Sequence, residues 1–309
     1  WERGKNFFAK MSALCARYSN ANTPLVAHTF DVERHGKKGD TGTTYEIYET
    51  GADETTLEDL PEVPENRPKK AYGKFTLAER TGIFENLNNL STPIHSEVPK
   101  CMEKYGNGYG YIAYKTTLGR DYEDTRLSFE SLGDRAQIYI NDELIDILYI
   151  NDRLETRFSA KKGDVLTVLC ENMGRCNFGA KMMRKKGIAG RCLFDNRVHF
   201  SWDIYTMPMD NLHNIPFEGK AFNEKSAFYR GTFNVENPKD TFVKLPDFTK
   251  GFVTINGFNL GRYWEIGPQQ TLYVPASVLR DGENEIIVFE SDGLKGEPVV
   301  EFVDKPILG

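Results

Sequence analysis

The sequence has 309 residues, of which 39% are hydrophobic and 27% charged, as is typical of a globular protein of about two domains. Its formal net charge of −6 argues against a nucleic-acid-binding groove, because phosphate binding requires clustered Lys and Arg. The sequence contains no run of about 18 apolar residues and therefore predicts no membrane-spanning helix.

Two features bear on where the protein resides. The chain begins with Trp1 and its first residues lack the pattern of a secretion signal, so we interpret it as processed or truncated. Its five cysteines are scattered without a CxxC spacing, which favours a reducing compartment over a disulfide framework. We therefore expect a cytoplasmic protein.

The first 66 residues are predicted to be partly helical and to end in a linker. Apolar residues between positions 5 and 18 fall at helical spacing and give one apolar face. The glycine-containing run 35–42 lacks the spacing of a phosphate-binding loop, so it is interpreted as a solvated turn. The run 53–70 is acidic and then contains three prolines, which predicts an extended linker. We assign no domain to residues 1–66.

From about Ala71 onward the sequence predicts β-strands. Runs with alternating aromatic or apolar residues are separated by turn residues at a spacing typical of sandwiches and barrels. The predicted strands are 108–118, 127–132, 136–142, 164–174, 227–235, 252–257, 271–275 and 284–291.

Two stretches of this region repeat the same order of features. In each, a strand ends in Ile-Asn before a turn residue, and an apolar strand that ends in Glu follows a polar turn with glycine. Asn141 and Glu171 are 171 − 141 = 30 positions apart, and Asn256 and Glu290 are 290 − 256 = 34 positions apart. We therefore predict two related β-sandwiches in tandem, a first region at 67–221 and a second at 222–309.

The loop 171–181, ENMGRCNFGAK, is a candidate sugar-binding loop. It offers the guanidinium of Arg175, the amide of Asn177 and the ring of Phe178, which together match the hydroxyls and apolar faces of a sugar. The alternative is a structural loop in which Arg175 and Asn177 bond backbone carbonyls.

A second candidate is the aromatic pair Tyr263-Trp264, which follows the Asn-Gly turn at 256–257. Aromatic residues in such a position often close the end of a sandwich, so packing is the preferred interpretation. Contact of Trp264 with a sugar is the alternative.

The sequence offers no catalytic or metal-binding motif. Its five histidines lie far apart without HxH or HExxH, and GxSxG is missing, so we expect neither a metal nor a cofactor. A catalytic carboxylate pair would require a cleft with a controlled separation, which sequence does not reveal.

Several of these segments resemble one known family. GFVTINGFNLGRYWEIGPQQTLYVPASVLRDGENEIIVFE strongly resembles the last domain of the β-galactosidases of glycoside hydrolase family 35, and YGNGYGYIAYKTTL and LCENMGRCNFG resemble their preceding domain. PENRPKKAYGKFTL resembles the connector after the catalytic barrel. The resemblance implies a mainly β fold, with tandem jelly-roll sandwiches that are galactose-binding-domain-like after a short, partly helical N-terminal segment.

The family resemblance also implies a role. These enzymes remove terminal β-linked galactose with retention, using two glutamates on a TIM barrel of about 250 residues. Since only 66 residues precede Arg67, we expect the barrel and its glutamates to be missing, so that no residue of this chain is catalytic. The family loop leans toward the barrel mouth; its Tyr corresponds to Phe178, which keeps the ring and lacks the hydroxyl.

Three functions therefore stay open: the accessory β-region of a β-galactosidase, a stand-alone carbohydrate-binding module, and a scaffold or oligomerisation unit. The expected partners are a β-galactoside or other carbohydrate, the catalytic barrel and, in the third case, further copies of the chain. In the first case Arg175 and Asn177 should be well hydrogen-bonded, and Phe178 should point out of its sandwich.

Overall fold

The computed structural model describes residues 29–35, 44–50, 67–217 and 225–308, with side chains described from residue 67 onward. The helix predicted at 5–18, the turn that follows His35 and most of the linker lie outside these residues. In the described part of the chain, no helix is long and apolar enough to cross a membrane. The chain divides into two compact units, 1–66 and 67–309.

The first unit contains a β-hairpin that was not predicted from the sequence. Strand β1 (Thr29–His35) pairs antiparallel with β2 (Thr44–Thr50), so that Val32 lies opposite Ile47. Both strands do alternate apolar with charged residues, but the alternation covers only a few positions in a polar segment.

The second unit is built almost entirely of strands. Those before residue 217 are β3 (Gly73–Thr76), β4 (Glu79–Gly82), β5 (Ile94–Ser96), β6 (Tyr111–Thr117), β7 (Tyr122–Phe129), β8 (Leu132–Gly133), β9 (Arg135–Ile140), β10 (Glu143–Tyr149), β11 (Glu155–Ala160), β12 (Val165–Glu171), β13 (Gly187–Ile188), β14 (Cys192–Phe194), β15 (Arg197–Val198) and β16 (Trp202–Met207). Those after residue 225 are β17 (Ala227–Val235), β18 (Thr241–Lys244), β19 (Lys250–Ile255), β20 (Phe258–Trp264), β21 (Thr271–Val274), β22 (Gly282–Glu290) and β23 (Val299–Val303). The mainly β fold is therefore confirmed.

Helices in this unit are short. A single turn of α-helix, α1, covers Leu87–Leu90. The 3₁₀ turns cover Phe84–Asn86, Met102–Tyr105, Ala180–Met183, Leu212–Asn214 and Ala276–Val278.

The strands form two sandwiches with the same strand order. The first packs the sheet β10-β9-β12-β6-β16-β5 on the sheet β11-β7-β14-β15, and β8 pairs with β13 beside them. The second packs β20-β19-β22-β17-β4 on β21-β18-β23-β3. The series β10-β9-β12-β6 in the first sandwich thus corresponds to β20-β19-β22-β17 in the second, and β11-β7-β14 corresponds to β21-β18-β23.

The two repeated asparagines occupy equivalent positions, as predicted. Asn141 and Asn256 both have positive φ, 48° and 50°, in the two-residue turns that join β9 to β10 and β19 to β20. Each donates its backbone N–H to a carbonyl of the last apolar strand and accepts the backbone N–H of that same residue on Oδ1. The partners are Val165 at 2.9 and 2.9 Å for Asn141, and Glu285 at 2.9 and 3.1 Å for Asn256.

The second sandwich also contains strands that precede the first sandwich in the chain, which the predicted division into 67–221 and 222–309 does not include. Strand β4 pairs with β17 and β3 pairs with β23, so residues 73–82 belong to the sheets of the second sandwich. The chain therefore contributes two strands to the second sandwich before it forms the first.

Three apolar cores hold the layers together. Alternate residues of one strand face opposite sides: Ile112 and Tyr114 lie in the core of the first sandwich, whereas Tyr111 and Ala113 lie in a core between the two larger sheets. There the Tyr111 ring meets Phe289 of the second sandwich edge-on, with 5.1 Å between the ring centroids. The central strands of the two larger sheets are consequently buried on both faces, and the sandwiches form one packed body.

Candidate functional site

The loop that follows β12 is anchored at its base by backbone and side-chain hydrogen bonds. Asn172 donates its backbone N–H to the Gly110 carbonyl at 3.1 Å and its amide to the Gly108 carbonyl at 2.9 Å. Its Oδ1 accepts the N–H of Gly174 at 3.0 Å, while the N–H of Met173 bonds the carboxylate of Asp134 at 2.9 Å. The chain therefore leaves the sheet in one defined direction.

A buried lysine closes the other end of the same loop. Lys186 is 3% exposed, and its ammonium group contacts the carboxylate of Asp134 and the carbonyl of Gly174. Both ends of the loop thus share Asp134 as a partner. A buried charge needs partners of this kind, so this contact fixes the ends of the loop to each other.

Arg175 ties the middle of the loop to the sandwich. Its guanidinium donates to the Arg184 carbonyl at 2.9 Å and to Oε1 of Glu103 at 2.5 Å. Burial acts to raise the pKa of Glu103, but hydrogen bonds, chiefly from Arg175 and also from the Lys186 backbone, hold that pKa below its ordinary value. Glu103 is consequently ionised at neutral pH and bonds both sides of the loop.

The tip of the loop presents apolar side chains to solvent. Phe178 is 88% exposed, Met183 is 77% exposed and Met182 is 44% exposed. Gly174 and Gly179, on either side of Phe178, have positive φ values of 102° and 88°, a conformation that favours glycine. We call these three exposed side chains the apolar tip; a rigid loop that exposes such a group is typical of a contact surface.

The expectations for this loop are largely confirmed. Arg175 is hydrogen-bonded and Phe178 points away from its sandwich. The expectation for Asn177 is wrong: it is exposed, and its side chain has no hydrogen-bond partner among the described residues. Asn177 lies beyond the reach of the loop base, where water can satisfy its amide. The binding of a substrate by these residues stays a prediction.

Tyr263 and Trp264 have different surroundings. Tyr263 is buried in the core of the second sandwich, and its hydroxyl group lies 2.9 Å from the Phe289 carbonyl and 3.0 Å from a carboxylate oxygen of Glu290. Burial raises the pKa of Tyr263 well above its usual value. Trp264 is half-buried, and Nζ of Lys250 lies 4.8 Å from the centre of its ring. The prediction of a packing role therefore holds for the whole side chain of Tyr263, but only for the buried part of Trp264.

A network of buried charges, not predicted from the sequence, links the two sandwiches. The ammonium group of Lys250 contacts the Glu171 carboxylate, whose other oxygen lies 3.6 Å from the guanidinium of Arg135. Arg135 in turn donates to Asp292 at 2.6 Å. Burial lowers the pKa of Lys250, an effect that the charge of Glu171 opposes. The sequence pointed to this network only through the glutamate that ends each of the two repeated apolar strands. Glu171 is one of these two glutamates.

A cavity of about 230 Å³ lies at the end of the second sandwich, beside Trp264. Its walls are the rings of Phe248, Tyr263 and Trp264, the apolar residues Leu245, Pro246 and Ile307, and the polar residues Lys244, Glu265, Gln269 and Gln270. Within the described ranges, no group of three or more His, Cys, Asp or Glu side chains is placed to hold a metal.

Two family models match the chain. Residues 99–208 match "Beta-galactosidase, first all-beta domain", and residues 226–284 match "Beta-galactosidase, galactose-binding domain". The first match covers most of the first sandwich with the loop that carries Arg175 and Phe178. The second match covers β17 to β21 and the start of β22, including Trp264.

Curated relatives match over nearly the whole chain. "Beta-galactosidase 1" of Dictyostelium discoideum is 29% identical over 343 aligned positions, which cover 97% of this chain and 51% of the relative. "Beta-galactosidase" of Canis lupus familiaris is 32% identical over 331 positions, which cover 95% of this chain and 50% of the relative. The chain thus spans about half the length of these relatives. Most of residues 1–66, for which no family resemblance was found in the sequence itself, lies within the aligned region.

Among solved structures, the apo form of the Pleurotus ostreatus lectin aligns with 77% of this chain and 81% of the lectin chain. Its TM-score is 0.21 and its sequence identity 10%, values too low to indicate a shared fold.

Proposed function

Because the chain belongs to the β-galactosidases of glycoside hydrolase family 35, as the C-terminal region with their first all-β and galactose-binding domains, we propose that it supports the catalytic domain of a retaining exo-β-galactosidase. In the complete enzyme, that domain hydrolyses terminal β-galactosides. The apolar tip of this chain packs against it and helps to shape the substrate mouth, and the chain contributes no catalytic carboxylate.

The observation that carries this proposal is the exposure of Phe178 on a loop whose base is rigid. An aromatic ring that is 88% exposed buries almost no apolar area and so hardly stabilises its own sandwich. Covered by a second surface, the same ring would bury a large apolar area, which is the typical contribution of an aromatic anchor to an interface.

The anchoring of the loop supports a positioning role. Lys186, Asp134, Arg175 and Glu103 hold the loop at both ends and in the middle, so the ring needs little ordering when it meets another domain. The buried charges that join the two sandwiches also tie them to each other, which favours a fixed platform beside a catalytic domain.

A turnover assay with an aryl β-galactoside tests the proposal. The purified 309-residue chain should show no hydrolysis, whereas the complete protein that contains it should hydrolyse the substrate. Turnover by the chain alone, abolished when one of its own glutamates is changed to Gln, would refute the proposal.

A further inference from the structure

The cavity beside Trp264 has the chemistry of a site for a small ligand, and no residue of the apolar tip lines it. It lies in the second sandwich, whereas the apolar tip belongs to the first. Aromatic walls and a few polar groups that converge on one space are typical of small-molecule sites. Its volume of about 230 Å³ is below the roughly 300–1,000 Å³ of sites for drug-sized ligands, so the cavity suits a single ring.

Polar groups of the cavity have free hydrogen-bonding capacity. In the described part of the chain, nothing accepts the indole N–H of Trp264, and nothing donates to the side-chain oxygen of Gln269 or Gln270. The amide groups of both glutamines are fixed by donation to carbonyls, of Thr271 at 2.7 Å and of Glu265 at 3.2 Å. One donor and two acceptors among the lining side chains thus keep capacity to bond the hydroxyl groups of a ligand.

The Trp264 ring is also held in place. The ammonium group of Lys250 lies over it, and Lys250 is in turn held by the buried carboxylate of Glu171. A ring fixed in this way can offer an apolar surface to a ligand without losing side-chain freedom on binding.

The charges at the cavity are already neutralised by partners in the protein. Glu265 contacts the ammonium group of Lys295, and Nζ of Lys244 lies 3.9 Å from Glu301. A charged ligand would therefore lose its hydration without gaining an unpaired counter-ion among these side chains. A neutral ligand with several hydroxyl groups has no charge that needs such a partner.

We propose that the Trp264 cavity binds the pyranose ring of a neutral sugar, in the second sandwich and apart from the apolar tip of the first. The ring packs on Trp264, and its hydroxyl groups bond the side-chain oxygens of Gln269 and Gln270.

Two-dimensional NMR of the ¹⁵N-labelled 309-residue chain tests this site through the tryptophan indole signals. The sequence contains three tryptophans, so the Trp264 signal is identified by its loss in Trp264→Phe. Trp202 is an internal reference, since its indole N–H is buried and donates to the His199 carbonyl at 3.1 Å. Titration with methyl β-galactopyranoside, and separately with methyl β-glucopyranoside, should shift the Trp264 signal to saturation with at least one sugar and leave the Trp202 signal unchanged.

Variants make the outcome decisive. Gln270→Ala should weaken the binding of the sugar several-fold. Phe258→Ala, at an exposed ring of the same strand β20 but outside the cavity, should leave binding unchanged. A Trp264 signal that does not move with either sugar would overturn the proposal, as would equal effects of the two variants.

A third result would assign the cavity to a protein contact. If Trp264→Phe impairs the complete protein while the chain binds no sugar, the cavity accommodates another part of the protein, and the sugar site is refuted. This binding measurement can fail while the turnover test of the accessory role succeeds, so the two proposals are tested separately.

Discussion

Arg175 and Glu103 lie 72 positions apart in sequence and form a hydrogen bond of 2.5 Å that ties the loop carrying Phe178 to the first sandwich. The same guanidinium bonds the carbonyl of Arg184 farther along the loop. One side chain therefore sets both the shape of the loop and its attachment.

Arg175→Met should loosen the loop without unfolding the protein. Because the side-chain pair is partly exposed, its loss should cost about 0–1 kcal/mol of unfolding free energy. Tryptic cleavage after Lys181 and Lys185 should become several-fold faster. Arg197→Met is the matched control, because Arg197 is exposed and has no ion-pair partner in the described structure. Equal cleavage rates in the variant and the wild type would show that Arg175 does not order the loop.

Lys250→Met should destabilise the chain strongly. It leaves the Glu171 carboxylate buried, with Arg135 at 3.6 Å as its remaining cationic partner, and breaking a buried pair costs about 3–5 kcal/mol. Urea unfolding should show this loss as a lower midpoint. Lys295→Met, which breaks the exposed pair with Glu265, should cost less than about 1 kcal/mol. Similar losses in both variants would contradict the structural importance of the buried network.

His199 should make stability depend on pH between about 4 and 6.5. Burial lowers the pKa of His199 to about 4, and its ring stacks on Phe194 with 4.1 Å between the centroids. In this window the unfolded chain binds a proton at His199 and the folded chain does not, so stability falls as the pH decreases.

The size of the His199 effect can be measured against a variant. Allowing for partial exposure, it should amount to roughly 1–2 kcal/mol between pH 7.5 and pH 4.5. His199→Gln should reduce the difference in unfolding free energy between these pH values by that amount, and His213→Gln, at an exposed position, should leave it unchanged. An identical pH dependence in wild type and His199→Gln would exclude this contribution.

Each of the eight runs predicted as strands overlaps an observed strand, and the repeat was also predicted, because these features depend on local patterns. Alternation of apolar residues marks β17 at its observed bounds, and the Asn-Gly turn at Asn256 is a local signal for a hairpin. The exposed position of Phe178 followed from the family resemblance of its loop.

Other features depend on contacts between distant residues and leave no local signal. The pairing of β3 and β4 with the second sandwich joins residues more than 140 positions apart, as the Arg230–Glu79 bond illustrates. The contact of Lys250 with Glu171 joins two sheets, so nothing near either residue in sequence predicts it. The sequence identified Trp264 as a candidate contact for a sugar. It did not predict the cavity beside Trp264, because the walls come from segments that are far apart in sequence, from Lys244 to Ile307.

The accessory role is tested most directly by the kinetics of the complete enzyme with Phe178→Ala. Removing the ring should lower kcat/KM for an aryl β-galactoside by about tenfold, corresponding to about 1.4 kcal/mol, while the Tm of the protein stays the same. Phe200→Ala is the matched control, because Phe200 is an exposed phenylalanine of the same sandwich outside the loop, and it should leave kcat/KM unchanged. If Phe178→Ala and Phe200→Ala both retain the wild-type kcat/KM, the apolar tip does not shape the substrate mouth and the proposed role of this loop is wrong.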